Sequence, residues 1–398
     1  MDKYADIFST IMEDPGFQSN ATEQPIIKVI GVGGGGVNAV NHIYEQRLSD
    51  VSYAVLNTDR ASLQASPVPV KLCLGNGRGA GDKPTVAKKA TQDSEQAIAE
   101  LLNDGTRMVF ITASMGGGTG TGAAPVVAKV ASEAGLLTVG VVTIPFEFEG
   151  KTKIKKALKG AAEMSQYVDS MIVINNQKLI EFYPEHPMTS NFALADETLA
   201  KAVTSISDLI NTTGFWNIDF NDVDTTLRQT GVAIISTGTG SGDRRVSMAI
   251  EAALESPLLR NRDVYGSTRL LIAVHTSSKD EYTLQASEIK EIENFKNNFR
   301  NELEQITGWY YDDSLNDEVR FTVLAAGFGM TFDEQFDTQK FEHFMVLSGD
   351  QIEDDNVINV LENTPTYTRV TKAINKRPTP AADTPTETTT TTPTTITF

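Results

Sequence analysis

The stretch SMGGGTGTGAAP, residues 114–125, decides the fold of this chain. It follows an apolar, β-branched run at 108–112 and precedes an Ala-rich pattern at 126–135 that is typical of a helix. Glycines lack a Cβ, so their backbone can lie close to a ligand, and consecutive amides at a helix N-terminus bind anions. A flexible linker would not be bracketed by a buried strand and a helix. The stretch therefore predicts a phosphate-binding loop, whose contacts are Gly116, Gly117, Gly118, Thr119, Gly120, Thr121 and Gly122.

Composition narrows the classes of protein that remain. A length of 398 residues favours two or three domains, and a formal net charge of −18 argues against nucleic acid as a partner. Cys73 is the only cysteine, which excludes an intrachain disulfide and a cysteine-based zinc site, and the four histidines lack metal-ligand spacing, so we predict no protein-built metal site. We find neither a signal peptide nor an apolar run long enough for a membrane span, and we expect a cytoplasmic protein.

A second glycine loop follows the apolar strand IIKVIGV at 26–32. Gly31, Gly33 and Gly36 satisfy the GxGxxG pattern, and Asp59 lies at a plausible distance beyond, so a nicotinamide-dependent oxidoreductase is one reading. Such an enzyme does not need the loop at 114–125. Two loops, each between a strand and a helix, instead favour a site that holds two edges of one polyphosphate.

Strands and helices alternate up to residue 175, which predicts an open, mostly parallel sheet with helices on both faces. Ligands of such sheets bind at the carboxyl ends of the strands. Both glycine loops, residues 57–59 and Asn176 lie at these ends, which is our main argument for a single nucleotide site. Asn38 is placed either to cap the following helix or to contact a ligand, and the third glycine turn at 79–84 is equally consistent with a surface loop.

The second half of the chain has a different character. A helical pattern at 191–210 is apolar on more than one side, and an acidic, aromatic loop follows at 215–222. In this half we predict strands at 233–236, 270–275 and 321–326, helices at 244–254 and 287–304, and a turn at the glycines of 238–242. In the first half, the third glycine turn is followed by a predicted helix at 85–103. The predicted domains are a flexible arm (1–25), a Rossmann-like nucleotide-binding α/β domain (26–190), a central helix (191–214), a second α/β domain with a mixed sheet (215–330) and a tail with a disordered Thr/Pro-rich end (331–398).

The glycine loop resembles the signature of the tubulin superfamily. VIGVGGGGVNAVNH (29–42), GAGDKP (79–84), VTIPFEFEGK (142–151) and NIDFNDV (217–223) are similar to its cell-division branch, and the matching pieces extend in order over roughly 26–330. LENTPTYTR at 361–369 is similar to tails of Bacteroidetes members. The resemblance implies a GTPase that binds GTP or GDP, polymerises head to tail with copies of itself and builds the division ring at midcell. It also implies partners that tether and regulate the ring.

The resemblance assigns roles residue by residue. It implies phosphate and ribose contacts from the glycine turns and Asn38, ribose contact from Glu149, stacking of guanine on Phe192, and recognition of the guanine edge by Asn176 and Asp196. From spacing alone, Phe192 is a helix-core residue and Asp196 a solvated charge. The implied nucleotide contacts beyond the central loop are Gly33, Gly34, Gly35, Asn38, Gly79, Ala80, Gly81, Glu149, Lys153, Asn176, Phe192 and Asp196.

The resemblance also places Asn217, Asp219 and Asp222 in the GTP site of the adjacent subunit. There the carboxylates would position and polarise the attacking water, while Mg²⁺ offsets their repulsion from the phosphates. A filament of the same fold that does not hydrolyse GTP is the alternative.

Two features depart from the superfamily's pattern. Lys153 stands near the usual position of an arginine, and lysine keeps the charge but lacks the planar guanidinium. The sequence ends in TTITF, without the usual D-x-P-x-F-L peptide that binds membrane tethers. We therefore expect tethering through another element, such as 357–370, or a divergent partner, and only indirect contact with the membrane.

Overall fold

The computed structural model describes residues 25–48, 51–256, 264–299 and 302–328. Six parallel strands form the first half of its sheet in the order β3-β2-β1-β4-β5-β6. These strands are β1 (Ile27–Val32), β2 (Val51–Asn57), β3 (Val70–Cys73), β4 (Met108–Ser114), β5 (Leu137–Ile144) and β6 (Ser170–Asn175). Strands β1, β4 and β5 are buried almost throughout because helices cover both faces, which explains their continuous apolar sequences.

Strand β1 pairs with both β2 and β4, so the strand order reverses between β1 and β4. Such a switch point leaves a crevice at the carboxyl ends of the strands. The connecting helices are α1 (Gly33–Glu45), α2 (Arg60–Ala65), α3 (Pro84–Gln92), α4 (Glu95–Leu102), α5 (Thr119–Glu133), α6 (Lys151–Met164) and α7 (Asn176–Phe182). The predicted parallel α/β fold is confirmed, but the single helix predicted at 85–103 is wrong. The chain turns at Asp93 and Ser94, whose short polar side chains favour turns over helix interiors.

Helix α8 (Met188–Asn211) is the predicted central helix, and it is longer than the apolar pattern indicated. Its 24 residues span about 36 Å. Leu199, Val203 and Ile206 are fully buried in one hydrophobic core with residues of both halves of the sheet. The helix is therefore apolar on several sides because it packs between the two halves.

The second half of the sheet is mixed, as predicted, and follows in the order β8-β11-β9-β10-β7. Its elements are β7 (Gly214–Trp216), α9 (Phe220–Leu227), β8 (Gly231–Gly240), α10 (Arg245–Leu254), β9 (Arg269–Thr276), α11 (Ala286–Lys296), β10 (Glu304–Tyr311) and β11 (Val319–Ala326). Strand β8 pairs with β6 through two residue pairs, Ser170–Gly231 and Met171–Val232, which makes one eleven-stranded sheet. Short 3₁₀ turns occupy Glu147–Glu149, Val264–Gly266 and Asp313–Leu315.

Two details of the second half differ from the predictions. The helix predicted at 287–304 ends at Lys296, and Glu304 begins β10. The glycines at 238 and 240 lie in β8 rather than in a turn. A Cβ on Gly238 would lie 2.3 Å from the carbonyl oxygen of Ala249, so these glycines allow α10 to pack directly on the strand.

The predicted domain boundaries remain predictions. The N-terminal arm up to residue 24, the tail from 329 and the pieces at 357–370 and 361–369 lie outside the described residues.

Candidate functional site

The three glycine segments meet at the carboxyl ends of β1 and β4. Gly33 has a φ of +73°, and a Cβ there would lie 2.7 Å from the amide nitrogen of Gly120. A Cβ on Gly118 would lie 2.9 Å from Cβ of Ala80, in the third glycine turn. The turn at 79–84 is therefore part of this cluster rather than a separate surface loop. Close backbone approach explains the need for glycine at Gly33 and Gly118, whereas Gly79 and Gly81 have φ values of +78° and +58°, which favour glycine.

Helices α1 and α5 both begin at this cluster. Neither has a side-chain cap at its N-terminus, so their first N–H groups remain available, and the helix dipoles add positive potential there. A Cβ on Gly34 or Gly117 would meet no atom within 4 Å, so both glycines border open space. This donor set fits a polyphosphate. Asn38 is exposed, six residues into α1, and the capping alternative for it is wrong.

Two of the predicted phosphate contacts, Thr121 and Gly122, pack against the protein interior instead. The hydroxyl of Thr121, which is buried, accepts a hydrogen bond of 2.8 Å from the amide of Gly116. A Cβ on Gly122 would lie 2.0 Å from the carbonyl oxygen of Pro84. Thr121 and Gly122 thus stabilise the conformation of the loop from its buried side. The remaining candidates for contact with phosphate are Gly117, Gly118 and Thr119.

Thr58 was not among the predicted contacts. Its hydroxyl lies 2.7 Å from that of Thr119, which fixes the loop to the end of β2. Its place at the carboxyl end of a parallel strand was the signal that could have identified it. The neighbouring Asp59 accepts a 3.0 Å hydrogen bond from the amide of Ala61 and caps α2. Asp59 was the acidic residue that supported the hypothesis of a nicotinamide-dependent oxidoreductase. Its capping role gives it a structural function instead.

The beginning of α8 offers a surface for a base. Phe192 packs edge-on against Phe146, with ring centroids 4.9 Å apart, yet 45% of its surface is exposed. Burial raises the pKa of the Asp196 carboxyl, one turn further along, to about 6, and the nearby His42 opposes this shift. An exposed aromatic face next to a partly desolvated carboxylate suits a flat base with N–H donors.

Asn176 supplies a second acceptor. Asn175 caps α7 by accepting from the amide of Gln177, so the Asn176 side chain is not needed for capping. Asn176 is 7% exposed, and its Oδ1 has no hydrogen-bond partner among the described residues. A buried acceptor without a partner is costly unless a ligand satisfies it. This free acceptor is consistent with a contact to guanine, and recognition of the guanine edge by Asn176 and Asp196 remains a prediction.

Glu149 and Lys153 form an ion pair beside the glycine loop. The other carboxylate oxygen of Glu149 accepts a 2.9 Å hydrogen bond from the amide of Phe146. A Cβ on Gly116 would lie 2.9 Å from Cγ of Lys153, so this lysine packs against the loop. Contact of Glu149 with a ribose remains a prediction, and it requires a carboxylate that is already engaged on both oxygens.

The acidic loop is held by its own hydrogen bonds. Asp219 accepts from the amide of Asp222, and Asp222 accepts from the amide of Asp219, each at 2.9 Å. This reciprocal capping box begins α9. Asn217, which is exposed, accepts from the amide of Gly214 at 2.5 Å. Each aspartate therefore uses one carboxylate oxygen for structure and keeps the other for a ligand or water. The D-x-x-D spacing was a sequence signal for this box.

The acidic loop and the glycine loop lie at opposite ends of the strands, the acidic loop at the amino end of β4 and the glycine loop at its carboxyl end. The guanidinium of Arg107 lies 4.1 Å from the ring centre of Phe220 and 3.4 Å from Oδ1 of Asn221. Arg107 immediately precedes β4, whereas the glycine loop follows the end of the same strand. The seven residues of β4 span about 20 Å. Within one subunit, the carboxylates therefore cannot reach a phosphate at the glycine loop.

An aromatic cluster lies beside the acidic loop, at the edge formed by β7 and β10. It consists of Phe215, Trp216, Trp309 and Tyr311. Ring centroids of contacting members lie 4.9–6.4 Å apart. Phe215, Trp216 and Tyr311 are each more than a third exposed, so the cluster forms an apolar surface next to Asn217.

The part of the chain that the structure describes contains no group of three or more His, Cys, Asp or Glu residues arranged to hold a metal ion. No helix in the described ranges has the length and apolar character required to cross a membrane.

Known protein families match this chain over both halves of the sheet. A family model described as "Tubulin/FtsZ family, GTPase domain" matches residues 26–184, and one described as "FtsZ family, C-terminal domain" matches 231–329. The cell division protein FtsZ of Porphyromonas gingivalis, a Bacteroidetes species, is 44% identical over 327 residues, which cover 80% of this chain and 71% of that protein. FtsZ of Buchnera aphidicola is 40% identical, covering 78% of this chain and 82% of that protein.

Among solved structures, an empty FtsZ dimer from M. jannaschii superimposes with a TM-score of 0.71 at 32% identity, covering 82% of this chain and 93% of that chain. The glycine-loop site on a parallel sheet, the long central helix and the second mixed half together define a tubulin-like GTPase. With the relatives and both family matches considered, the chain belongs to the FtsZ family of cell-division proteins.

Proposed function

We propose that this protein hydrolyses GTP at the contact between successive subunits of a head-to-tail filament. The observation that carries the proposal is the placement of the glycine loop and the acidic loop at opposite ends of the strands of one sheet. A contact that joins the amino-end face of the sheet in one subunit to the carboxyl-end face in the next brings the two loops together. It leaves the same two faces exposed at the ends of the filament. Such a heterologous contact does not close, so it generates filaments.

Each half of the site has a distinct task. Gly117, Gly118 and Thr119 hold the phosphates through backbone N–H groups at the start of α5, and Asn176 and Asp196 select guanine. The free carboxylate oxygens of Asp219 and Asp222 from the next subunit orient the attacking water and accept its proton. The reciprocal hydrogen bonds of the capping box keep these carboxylates in place before assembly.

Mg²⁺ fits this site as a companion of the nucleotide. It is usually held by substrate phosphates, water and one or two carboxylates, rather than by a protein cage. When bound, Mg²⁺ supplies charge neutralisation on the phosphates.

The first test is the dependence of GTP turnover per subunit on protein concentration. We expect turnover to rise steeply above a critical concentration, in step with light scattering, because isolated subunits lack the acidic half-site. Asp222→Asn is the informative variant, since asparagine can still accept from the Asp219 amide but carries no charge. It should bind GTP normally and lose at least 100-fold in turnover. Turnover independent of concentration would contradict the proposal.

A mixing experiment separates the two half-sites. Asp222→Asn retains the nucleotide site, and Asp196→Asn, at GTP concentrations too low to saturate it, retains the acidic loop. If the site is shared between subunits, the mixture hydrolyses GTP faster than the sum of the separate proteins. A rate equal to that sum would show that the acidic loop acts on its own subunit's nucleotide.

In the cell we propose that the filaments form the division ring at midcell, with separate tether and regulator proteins and only indirect contact with the membrane. The proposal is supported by the family to which the chain belongs. Its test is the position of a fluorescently tagged copy in dividing cells. A diffuse signal during constriction, from a tagged copy that still supports division, would count against it.

A further inference from the structure

Tyr310, in β10, connects two segments that are far away in the sequence. Its hydroxyl donates to the carbonyl oxygen of Leu209 at 2.8 Å and accepts from the amide of Ile218 at 3.0 Å. Leu209 lies in the last turn of α8, and Ile218 immediately precedes Asp219, the first residue of the capping box. One hydroxyl group therefore fixes both ends of the segment between α8 and the acidic loop.

Both partners of the hydroxyl need it. The last carbonyls of a helix have no partner within the helix, and Leu209 is one of these in α8. Ile218 is 2% exposed, so water does not satisfy its amide. Burial raises the pKa of Tyr310 to about 12, with a smaller contribution from the charge of Asp222, so the phenol keeps the proton that it donates to Leu209.

The surroundings of Tyr310 are shaped around its ring. Tyr310 is fully buried, and its ring stacks on His275 with centroids 4.9 Å apart and an interplanar angle of 18°. A Cβ on Gly308 would lie 2.7 Å from the Tyr310 ring, and a Cβ on Gly214 would lie 2.8 Å from it. These two glycines and the stacked imidazole hold the ring in one orientation, and this orientation aims the hydroxyl at the loop.

We propose that Tyr310 is a positioning residue for GTP hydrolysis, because its hydroxyl holds the acidic loop in register with the end of α8. The inference rests on the proposed function of that loop. Because Tyr310 is fully buried, we assign it no direct contact with the nucleotide of either subunit. It acts through Ile218, by fixing where Asp219 and Asp222 stand when they meet the site of the next subunit. A shift of about 1 Å in such groups can lower a rate by two orders of magnitude.

The test is Tyr310→Phe, which keeps the ring and its stacking but removes the hydroxyl. We expect turnover per subunit in fully assembled filaments to fall at least tenfold, while GTP affinity and critical concentration change less than twofold. The matched control is Tyr53→Phe. Tyr53 is also buried, but its hydroxyl has no hydrogen-bond partner among the described residues, so its removal should leave turnover within twofold.

Amide hydrogen exchange gives a second measurement on the free protein. The peptide covering 212–222 should exchange faster in Tyr310→Phe, because the Ile218 amide loses its acceptor, while peptides from β1 and β4 keep their protection. Unchanged turnover, or turnover that falls only in parallel with GTP affinity or folding, overturns the inference. The proposed function fails separately, if turnover of the natural protein is independent of concentration or survives Asp222→Asn.

Discussion

Replacement of Asp196 by asparagine should stabilise the free protein while weakening its binding of guanine nucleotides. Burial raises the pKa of this carboxyl from its usual 3.8 to about 6, and each pKa unit corresponds to about 1.4 kcal/mol. The full difference is about 3 kcal/mol. Because the side chain is partly exposed, solvent screening reduces the expected cost of the charge to about 1–2 kcal/mol.

The sign follows from proton linkage. The folded protein binds the proton of Asp196 more tightly than the unfolded chain does, so the contribution of this group to the free energy of unfolding rises as the pH falls from 7 through 6 towards 4. At pH 7.5 both states are ionised, and the folded state carries the full cost of burying the charge. Asparagine removes that cost, so the melting temperature at pH 7.5 should increase by a few degrees, with little increase at pH 4.

Nucleotide binding should change in the opposite direction. Hydrogen bonds to a charged acceptor contribute about 1.5–3 kcal/mol, so we expect the GDP dissociation constant to increase by about 10- to 100-fold. Thermal unfolding by circular dichroism, with and without GDP, measures both effects in one experiment, and GDP avoids filament formation. The rise in melting temperature caused by GDP should be smaller in Asp196→Asn, because that rise depends on the ratio of the GDP concentration to the dissociation constant.

The control is Asp208→Asn, which removes a carboxylate from the same helix at its opposite end, and which should leave the effect of GDP unchanged. In the natural protein, GDP affinity should also weaken as the pH falls through 6, and this dependence should be flatter in Asp196→Asn. A variant that is less stable at pH 7.5 and binds GDP as tightly as the natural protein would refute the reasoning.

Two further predictions concern stability. Thr121→Val should lower the free energy of unfolding by about 1–3 kcal/mol and weaken GTP binding, because the buried Gly116 amide loses its acceptor. Denaturant unfolding measures the loss, and Thr121→Ser, which retains the hydroxyl, should recover most of it. Arg245 makes five hydrogen bonds, two to Glu288 in a nearly buried ion pair and three to backbone carbonyl oxygens. Arg245→Met should therefore cost about 3–5 kcal/mol without affecting the GDP affinity of molecules that remain folded. An Arg245→Met protein that melts like the natural one would contradict this estimate.

The parallel half of the fold could be predicted because its information is local. Strands buried on both faces have continuous apolar sequences, and glycines cluster where the backbone must approach a ligand. The convergence of the two glycine loops that follow β1 and β4 came from the rule that ligands bind at the carboxyl ends of parallel strands, whereas the turn at 79–84 was equally consistent with a surface loop. The roles of Phe192 and Asp196 could not be deduced in this way, since both fit an ordinary helix pattern, and they came from the resemblance alone.

The missed features depend on contacts between distant residues. Strand β10, with its mixed sequence EQITGWYY, is defined by pairing with β9 and β7, and no local pattern specified those partners. The two residue pairs that join β6 to β8 are equally invisible in the sequence. The same holds for Tyr310, whose hydroxyl bonds reach residues 92 and 101 positions away.

The aromatic cluster at the edge of β7 and β10 gives this protein a built-in optical probe. The chain contains two tryptophans, Trp216 and Trp309, and both lie in this cluster. Their near-ultraviolet emission therefore originates from one surface, directly beside Asn217. A second subunit that covers this surface would exclude water from Trp216, which is 55% exposed, and shift its emission to shorter wavelength. The arrival of a neighbour at the acidic loop can thus be followed in the unlabelled protein, in real time.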